Sequence, residues 1–271
     1  MKTYSAQSKL SALYREAICL RSTHQRQAQE RVAGHIRILR EQESLIWKQY
    51  GVSVKGKDVL DIGPGQFLMH MIYFSQNNRV KGIDLDVIPR GVNPAPYMRM
   101  LWCNGLRRTV KTVGRKMIGI DRRYANELKL QLGMKAIPGL DVRCMDAMQM
   151  TFADNSFDFV HSRSVFHHIP EPAVAMKQVA RVLRPGGVAL LSFHLYTSET
   201  GCLDPRIFTE RRAEVGLWPH LRPSMQGTYT PNAFVNKLRI DQWRKLFARE
   251  MPGTEYVLNR NQRPGAEADL R

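Results

Sequence analysis

The chain has 271 residues, 43% of them apolar and 24% charged, the balance of a folded chain long enough for one α/β domain with additions, and not that of a disordered one. Cys19, Cys103, Cys144 and Cys202 are far apart with no C-x-x-C pair, which argues against a zinc cluster or disulfide framework and suits a reducing cytoplasm. The formal net charge of +17 points to an anionic partner, either nucleic acid, a lipid surface or an acidic substrate, without choosing among them.

The start, Met1-Lys2-Thr3-Tyr4-Ser5, leads into charged, helix-like sequence and not into an apolar signal core. No apolar run approaches the ~20 residues that a membrane span needs. Residues 1 to about 50 read as helices, a helical cap on the rest (51–271). Leu10, Leu13, Ala17 and Leu20 recur at helical spacing, as do Val32, Ile36, Leu39 and Ile46. The arginines between them read as a solvated face. Gly51 and Gly56 punctuate the chain before the first strand.

That strand, Val59-Leu60-Asp61-Ile62, runs straight into Gly63-Pro64-Gly65, and the apolar segment from Phe67 to Phe74 is long enough for a helix. Strand, glycine turn and helix make a nucleotide crevice at the carboxyl end of a parallel sheet. The glycines let backbone approach a ligand that a Cβ would push away. Leu68 stands where the dinucleotide fingerprint needs its third glycine, and Asp61 puts an anion where a pyrophosphate would not want one. A cationic ligand is welcome there. The segment resembles the first motif, D-x-G-x-G, of class I S-adenosylmethionine-dependent methyltransferases. Their cofactor carries a sulfonium and an ammonium group. On this resemblance Asp61, Gly63, Pro64 and Gly65 are cofactor-binding residues.

The second strand, Arg79 to Asp84, ends in a carboxylate about 20 residues beyond the turn, where such folds place the acid that takes the ribose hydroxyls. Asp84 is assigned that role, and Asp86 flanks it. Residues 87–140 are too long for one crossover helix and form a basic helical insertion. Pro89, Pro94 and Pro96 open it as a loop. Met98, Trp102, Leu106, Val110, Val113 and Met117 then lie on one helical stripe, with Arg107, Arg108, Lys111, Arg115 and Lys116 around them. Eleven basic residues between 87 and 135 face only Asp121 and Glu127, a surplus of nine. Two readings follow. A basic amphipathic helix suits an anionic membrane surface. More often such a stripe packs on its own core, as a lid or crossover, and that is the expectation here.

The third strand, Asp141 to Asp146, is followed by Ala147, and the pair resembles the family's adenine contacts: the acid accepts from the exocyclic amine and the alanine leaves room for the ring. Phe152 to Val160 resembles the family's F-x-D-x-x-F-D-x-V element, a turn and a fourth strand. Ser162, Arg163 and Ser164 at that strand's end should rim the crevice, with Ser162 as a further cofactor contact. Val165 to Pro170 resembles the family's HH-I/V-P element. A helix over Ala173–Leu183 stops at Arg184-Pro185-Gly186-Gly187, Val188–Phe193 is the fifth strand, and Thr254–Leu258 is a candidate sixth. Nothing in Asn261–Arg271 reads as the family's last antiparallel strand. The Pro- and Gly-rich segment 194–232 is expected over the crevice as the substrate-side loop region.

The resemblance covers 59–193 apart from the insertion. It implies an α/β fold, a doubly wound, mostly parallel Rossmann-like sheet with N-terminal helices and a helical insertion after the second strand. It also implies S-adenosyl-L-methionine as cofactor. Methyl transfer is an in-line displacement, so the protein supplies alignment, dehydration and, for a hydroxyl or amine acceptor, a base. His167, His168 and His194 are the candidates, the first two preferred, and a structural role weighs against them. No His/Asp set has metal-ligand spacing, and no metal is expected. The expected acceptor is a small molecule, a saccharide or a lipid-linked compound. The expected location is the cytoplasm, with peripheral contact at the inner face of an anionic membrane as the extension. The alternatives are a nucleic-acid methyltransferase, favoured by charge alone, and a non-catalytic cofactor-binding scaffold.

Overall fold

The computed structural model describes residues 6–91, 93–208, 213–231 and 233–258, with side chains omitted for 6–27 and 208. The stripe Leu10, Leu13, Ala17 and Leu20 and the tail Asn261–Arg271 therefore lie outside the described side chains and residues. The N-terminal segment is one helix, α1 (Ala6–Tyr50). Its buried residues Ala28, Val32, Ile36, Leu39 and Ile46 lie along one face. Gly51, at φ 64, closes it by donating to the Trp47 carbonyl.

Five parallel strands follow in the order β3-β2-β1-β4-β5: β1 (Asp58–Ile62), β2 (Arg79–Asp84), β3 (Asp141–Cys144), β4 (Phe157–Arg163) and β5 (Leu183–Ser192). The chain winds outward from β1 through β2 to β3, then returns to β4 and winds the other way. The order reverses between β1 and β4, and such a switch point is where a doubly wound sheet opens a crevice.

Alternation along each strand divides the core. Val59 and Phe159 face α1, α2 (Met69–Phe74) and α5 (Ile120–Gln131). Leu60, Ile62 and Val160 face α6 (Pro172–Val182) and α7 (Ile240–Glu250). Helices thus cover both faces, as the apolar strands require. The insertion contributes α3 (Pro94–Asn104) and α4 (Leu106–Met117) ahead of α5.

Three elements differ from expectation. The helix after the glycine turn begins only at Met69, because Leu68 takes a left-handed conformation, φ 54. Strand β5 starts at Leu183 and runs through Pro185 to Gly187 with an irregular register against β4. As an edge strand it tolerates the proline, whose missing N–H needs no partner on the open side. Thr254–Leu258 is not a strand. Tyr256 turns back over α7, its ring 6.1 Å from Phe247 and 5.7 Å from the Arg244 guanidinium, so the segment never reaches the sheet edge.

Candidate cofactor crevice

Two loops leave the sheet at the switch point, one after β1 and one after β4, and they touch. Gly63 and Gly65 stand at φ 71 and 67, in the left-handed region that glycine alone enters freely. A Cβ on Gly63 would sit 2.2 Å from Cγ2 of Val165, in the β4 loop. A Cβ on Gly65 would meet nothing within 4 Å. Gly63 is therefore a packing glycine, and Gly65 faces open space. The Gly63 N–H donates to the Ile83 carbonyl at 2.8 Å, tying the turn to the end of β2. Pro64 is buried beneath it. Val165 carries no chemistry, and only the contact with Gly63 reveals its part.

Asp84 closes β2. Its Oδ1 accepts from the Asp86 N–H at 2.9 Å, and the Gly65 N–H, facing it, also favours its charge. Burial pushes this carboxyl above the usual range against the pull of these backbone N–H groups. Asp86 turns the other way, its carboxylate held by Arg108. The Met145 N–H donates to the Asp84 carbonyl, which brings Asp146 and buried Ala147 alongside. Asp146 Oδ1 accepts from the Met148 N–H at 2.8 Å and fixes the bend after β3. Gly63, Gly65, Asp84, Asp146 and Ala147 thus gather at the carboxyl ends of neighbouring strands.

Two expected crevice residues are placed differently. Ser162 is 0% exposed and its hydroxyl donates to the Ile62 carbonyl at 3.1 Å, bracing β4 against β1 from inside the sheet instead of rimming the opening. Asp61 is also fully buried, on the face toward α1 and α2. Its Oδ1 accepts from His161 Nδ1 at 2.8 Å, and Oδ2 lies 3.8 Å from Nδ1 of His70. His35 follows, its ring 5.8 Å from that of His70, and Arg163 donates to His35 Nδ1 at 3.0 Å. Burial lowers His70 to about 3 and His35 to about 4, with Arg163 adding to both. Spacing in sequence does not reveal this grouping: the donor atoms of Asp61, His70 and His161 all lie within 4.8 Å of one another.

His167 and His168 follow β4 in a single 3-10 turn. His167 is buried, lowered to about 3 by burial, and its Nδ1 accepts from the His194 N–H. His168 is only half-buried, and its Nδ1 donates to the Phe234 carbonyl at 2.6 Å. That bond leaves Nε2 as the unprotonated nitrogen of the neutral ring. Asn236, a residue that sequence reading missed, pins the turn. Its side chain donates to the Phe166 and Ile169 carbonyls, and its N–H donates to that of His167. Cys202, Ile207 and Val215, with Tyr229 packed against them, form a small cluster of their own.

Residues 98–191 match the family model described as a methyltransferase domain. That stretch holds α4, α5, β3, β4, α6 and most of β5, and it begins after the glycine turn. The chain is 32% identical over 127 residues, 46% of its length, to the 27-O-demethylrifamycin SV methyltransferase of Amycolatopsis mediterranei, spanning 43% of that protein. It is 34% identical over 92 residues, 33% of its length, to a demethylmenaquinone methyltransferase of Staphylococcus aureus, spanning 36% of it. An uncharacterized methyltransferase of Mycobacteroides abscessus is 27% identical over 157 residues, covering 58% of this chain and 47% of that one. The chain spans less than half the length of each of these relatives.

Proposed function

We propose that this chain, a class I S-adenosylmethionine-dependent methyltransferase by its matched segment and its Rossmann-type sheet, methylates a small-molecule acceptor, a saccharide or a lipid-linked compound. One observation carries the reading. A glycine turn at positive φ, open above Gly65, lies at the switch point beside a partly buried carboxylate, Asp84. This cradle fits an adenosyl ligand, since it offers room where a Cβ would intrude and a hydrogen-bond acceptor at the end of the neighbouring strand.

When bound, S-adenosylmethionine supplies a methyl group activated by its sulfonium. The chain would do the rest. Gly63 and Gly65 shape the backbone against the ligand, Asp84 accepts from the ribose hydroxyls, and Asp146 accepts from the adenine amine beside Ala147. Asp61 acts from beneath, a carboxylate one layer under the turn that favours positive charge above it, with His161 keeping it in place. The side chains of His168 and His194 stand after β4 and β5. Of His167 and His168, His168 is the better base, because its ring is only half-buried while His167 is sealed in.

Titration calorimetry with S-adenosylhomocysteine and NAD tests the cofactor assignment. The adenosyl ligand should bind and NAD should not; preferential NAD binding would overturn it. Incorporation of labelled methyl groups into fractionated extracts then identifies the acceptor class, and label confined to nucleic acid would replace the small-molecule reading.

A further inference from the structure

Helix α4 is amphipathic in the reverse sense of a helix that packs on its own core. Leu106, Val110, Val113 and Met117 recur at i, i+4, i+7 and i+11 and make one apolar stripe. The side turned to the protein is polar. Thr112 is the only buried residue of the helix. Arg115 and Lys116 pair with Asp121, and Arg108 pairs with Asp86. The Arg115 guanidinium lies over the Phe67 ring at 4.9 Å. The stripe itself faces outward: Leu106 and Val110 are exposed and Met117 is 82% exposed. Helix α3, separated from α4 by Gly105, also carries exposed Met98 and Trp102, the latter at 84%. The expected lid packing of this stripe is thus not what the fold adopts, because the salt bridges to Asp86 and Asp121 claim the opposite face.

Large apolar side chains exposed together on two neighbouring helices mark a site of contact. Its surroundings indicate with what. Arg99, Arg107 and Lys111 are exposed beside it, with no carboxylate bound to them among the described residues. They belong to a segment with nine more basic than acidic residues. Two copies placed face to face would oppose like charges. An anionic bilayer offers both an apolar layer for the stripe and phosphates for the cations. No described helix is long and apolar enough to cross a membrane, so such contact is peripheral.

We propose that the α3–α4 face seats this protein on an anionic lipid surface, with Trp102, Leu106, Val110 and Met117 in the headgroup–acyl boundary and Arg99, Arg107 and Lys111 against lipid phosphates. This deepens, and rests on, the reading of the acceptor as lipid-linked. The same helix borders the crevice. Arg108 holds Asp86, two residues past Asp84, and Arg115 donates to Gln66 at 3.5 Å, next to Gly65. Docking therefore sets the mouth of the crevice at the membrane surface, where a lipid-linked acceptor presents its head.

Vesicle co-sedimentation of the full chain tests this. Vesicles of phosphatidylcholine with phosphatidylglycerol should bind it at low salt, with Trp102 emission shifting to the blue, and phosphatidylcholine alone should not. Raising salt severalfold should release it. Arg107→Ala/Lys111→Ala should weaken binding tenfold or more. Trp102→Ser/Leu106→Ser should do the same with unchanged circular dichroism, since both side chains are exposed. No binding to anionic vesicles at low salt overturns the proposal. So does binding indifferent to the Trp102/Leu106 change, which would mean charge attraction alone, and so does a dimer dissolved by that change without vesicle binding. Calorimetry with S-adenosylhomocysteine on the same preparation separates the two claims. Cofactor binding without vesicle binding removes only the membrane proposal, and vesicle binding without cofactor binding removes only the methyltransferase reading.

Discussion

Asp61 and His161 stand side by side on paired strands β1 and β4, both 0% exposed, joined by a 2.8 Å hydrogen bond from His161 Nδ1 to Asp61 Oδ1. A carboxylate taken out of water so completely needs its partner more than the protein needs the pair. His161→Phe leaves Asp61 stranded and should cost about 3–5 kcal/mol of stability in urea unfolding. The double variant Asp61→Leu/His161→Phe should recover a large part of that loss. Additive losses would mean that the two side chains act independently.

Acid stability should reflect the buried histidines. His35, His70 and His167 are held by burial at about 4, 3 and 3, below the ordinary 6.5. The unfolded chain therefore binds more protons than the folded one as pH falls below about 6.5, and stability is lost across the window from there down to 3–4. Each histidine contributes a slope on the order of 1 kcal/mol per pH unit. Urea midpoints between pH 7 and 4 measure this, and His70→Phe should flatten the profile. An equally steep profile in that variant would assign the slope to other groups.

The two glycines of the turn should fail differently. Gly63→Ala places a methyl group 2.2 Å from Val165 Cγ2 as well as straining φ, so it should destabilise the fold and abolish adenosyl-ligand binding. Gly65→Ala meets no clash and carries only the left-handed penalty of about 1–2 kcal/mol. It should leave a folded protein with weakened ligand affinity. Thermal unfolding with and without S-adenosylhomocysteine separates the outcomes.

Asp84→Ala should weaken S-adenosylhomocysteine by about 1.5–3 kcal/mol, the loss of hydrogen bonds to a charged acceptor. Asp86→Ala should change affinity little, because that carboxylate is already held by Arg108. If calorimetry finds the reverse order, the ribose contact belongs to Asp86.

Turnover should distinguish the neighbouring histidines once an acceptor is in hand. His168→Ala should lower kcat about 10²–10⁴-fold with cofactor affinity retained if Nε2 takes a proton. His167→Ala should lower stability, cofactor binding and turnover together, since it removes a buried ring packed 4.0 Å from His168 and 5.4 Å from His194.

Much of this protein was written in local sequence. The apolar runs at Val59–Ile62 and Phe157–Val160, each ended by turn residues, determined parallel strands buried on both faces, and Gly63 and Gly65 determined the turn between β1 and α2, because those signals act within a few residues. Asp84 was legible for the same reason, as a strand end at a set distance from the turn. What tertiary structure decided involved partners far along the chain. Asp61 meets His161 a hundred residues on, so no spacing rule could tell that the motif's carboxylate is sealed beneath the turn and Ser162 beside it. The stripe on α4 was plain in the sequence, but its direction was not. Periodicity defines the faces of a helix, and only the position of Asp121 determined that Arg115 and Lys116 turn toward the protein while the apolar stripe, with Arg107 and Lys111, is left to the outside.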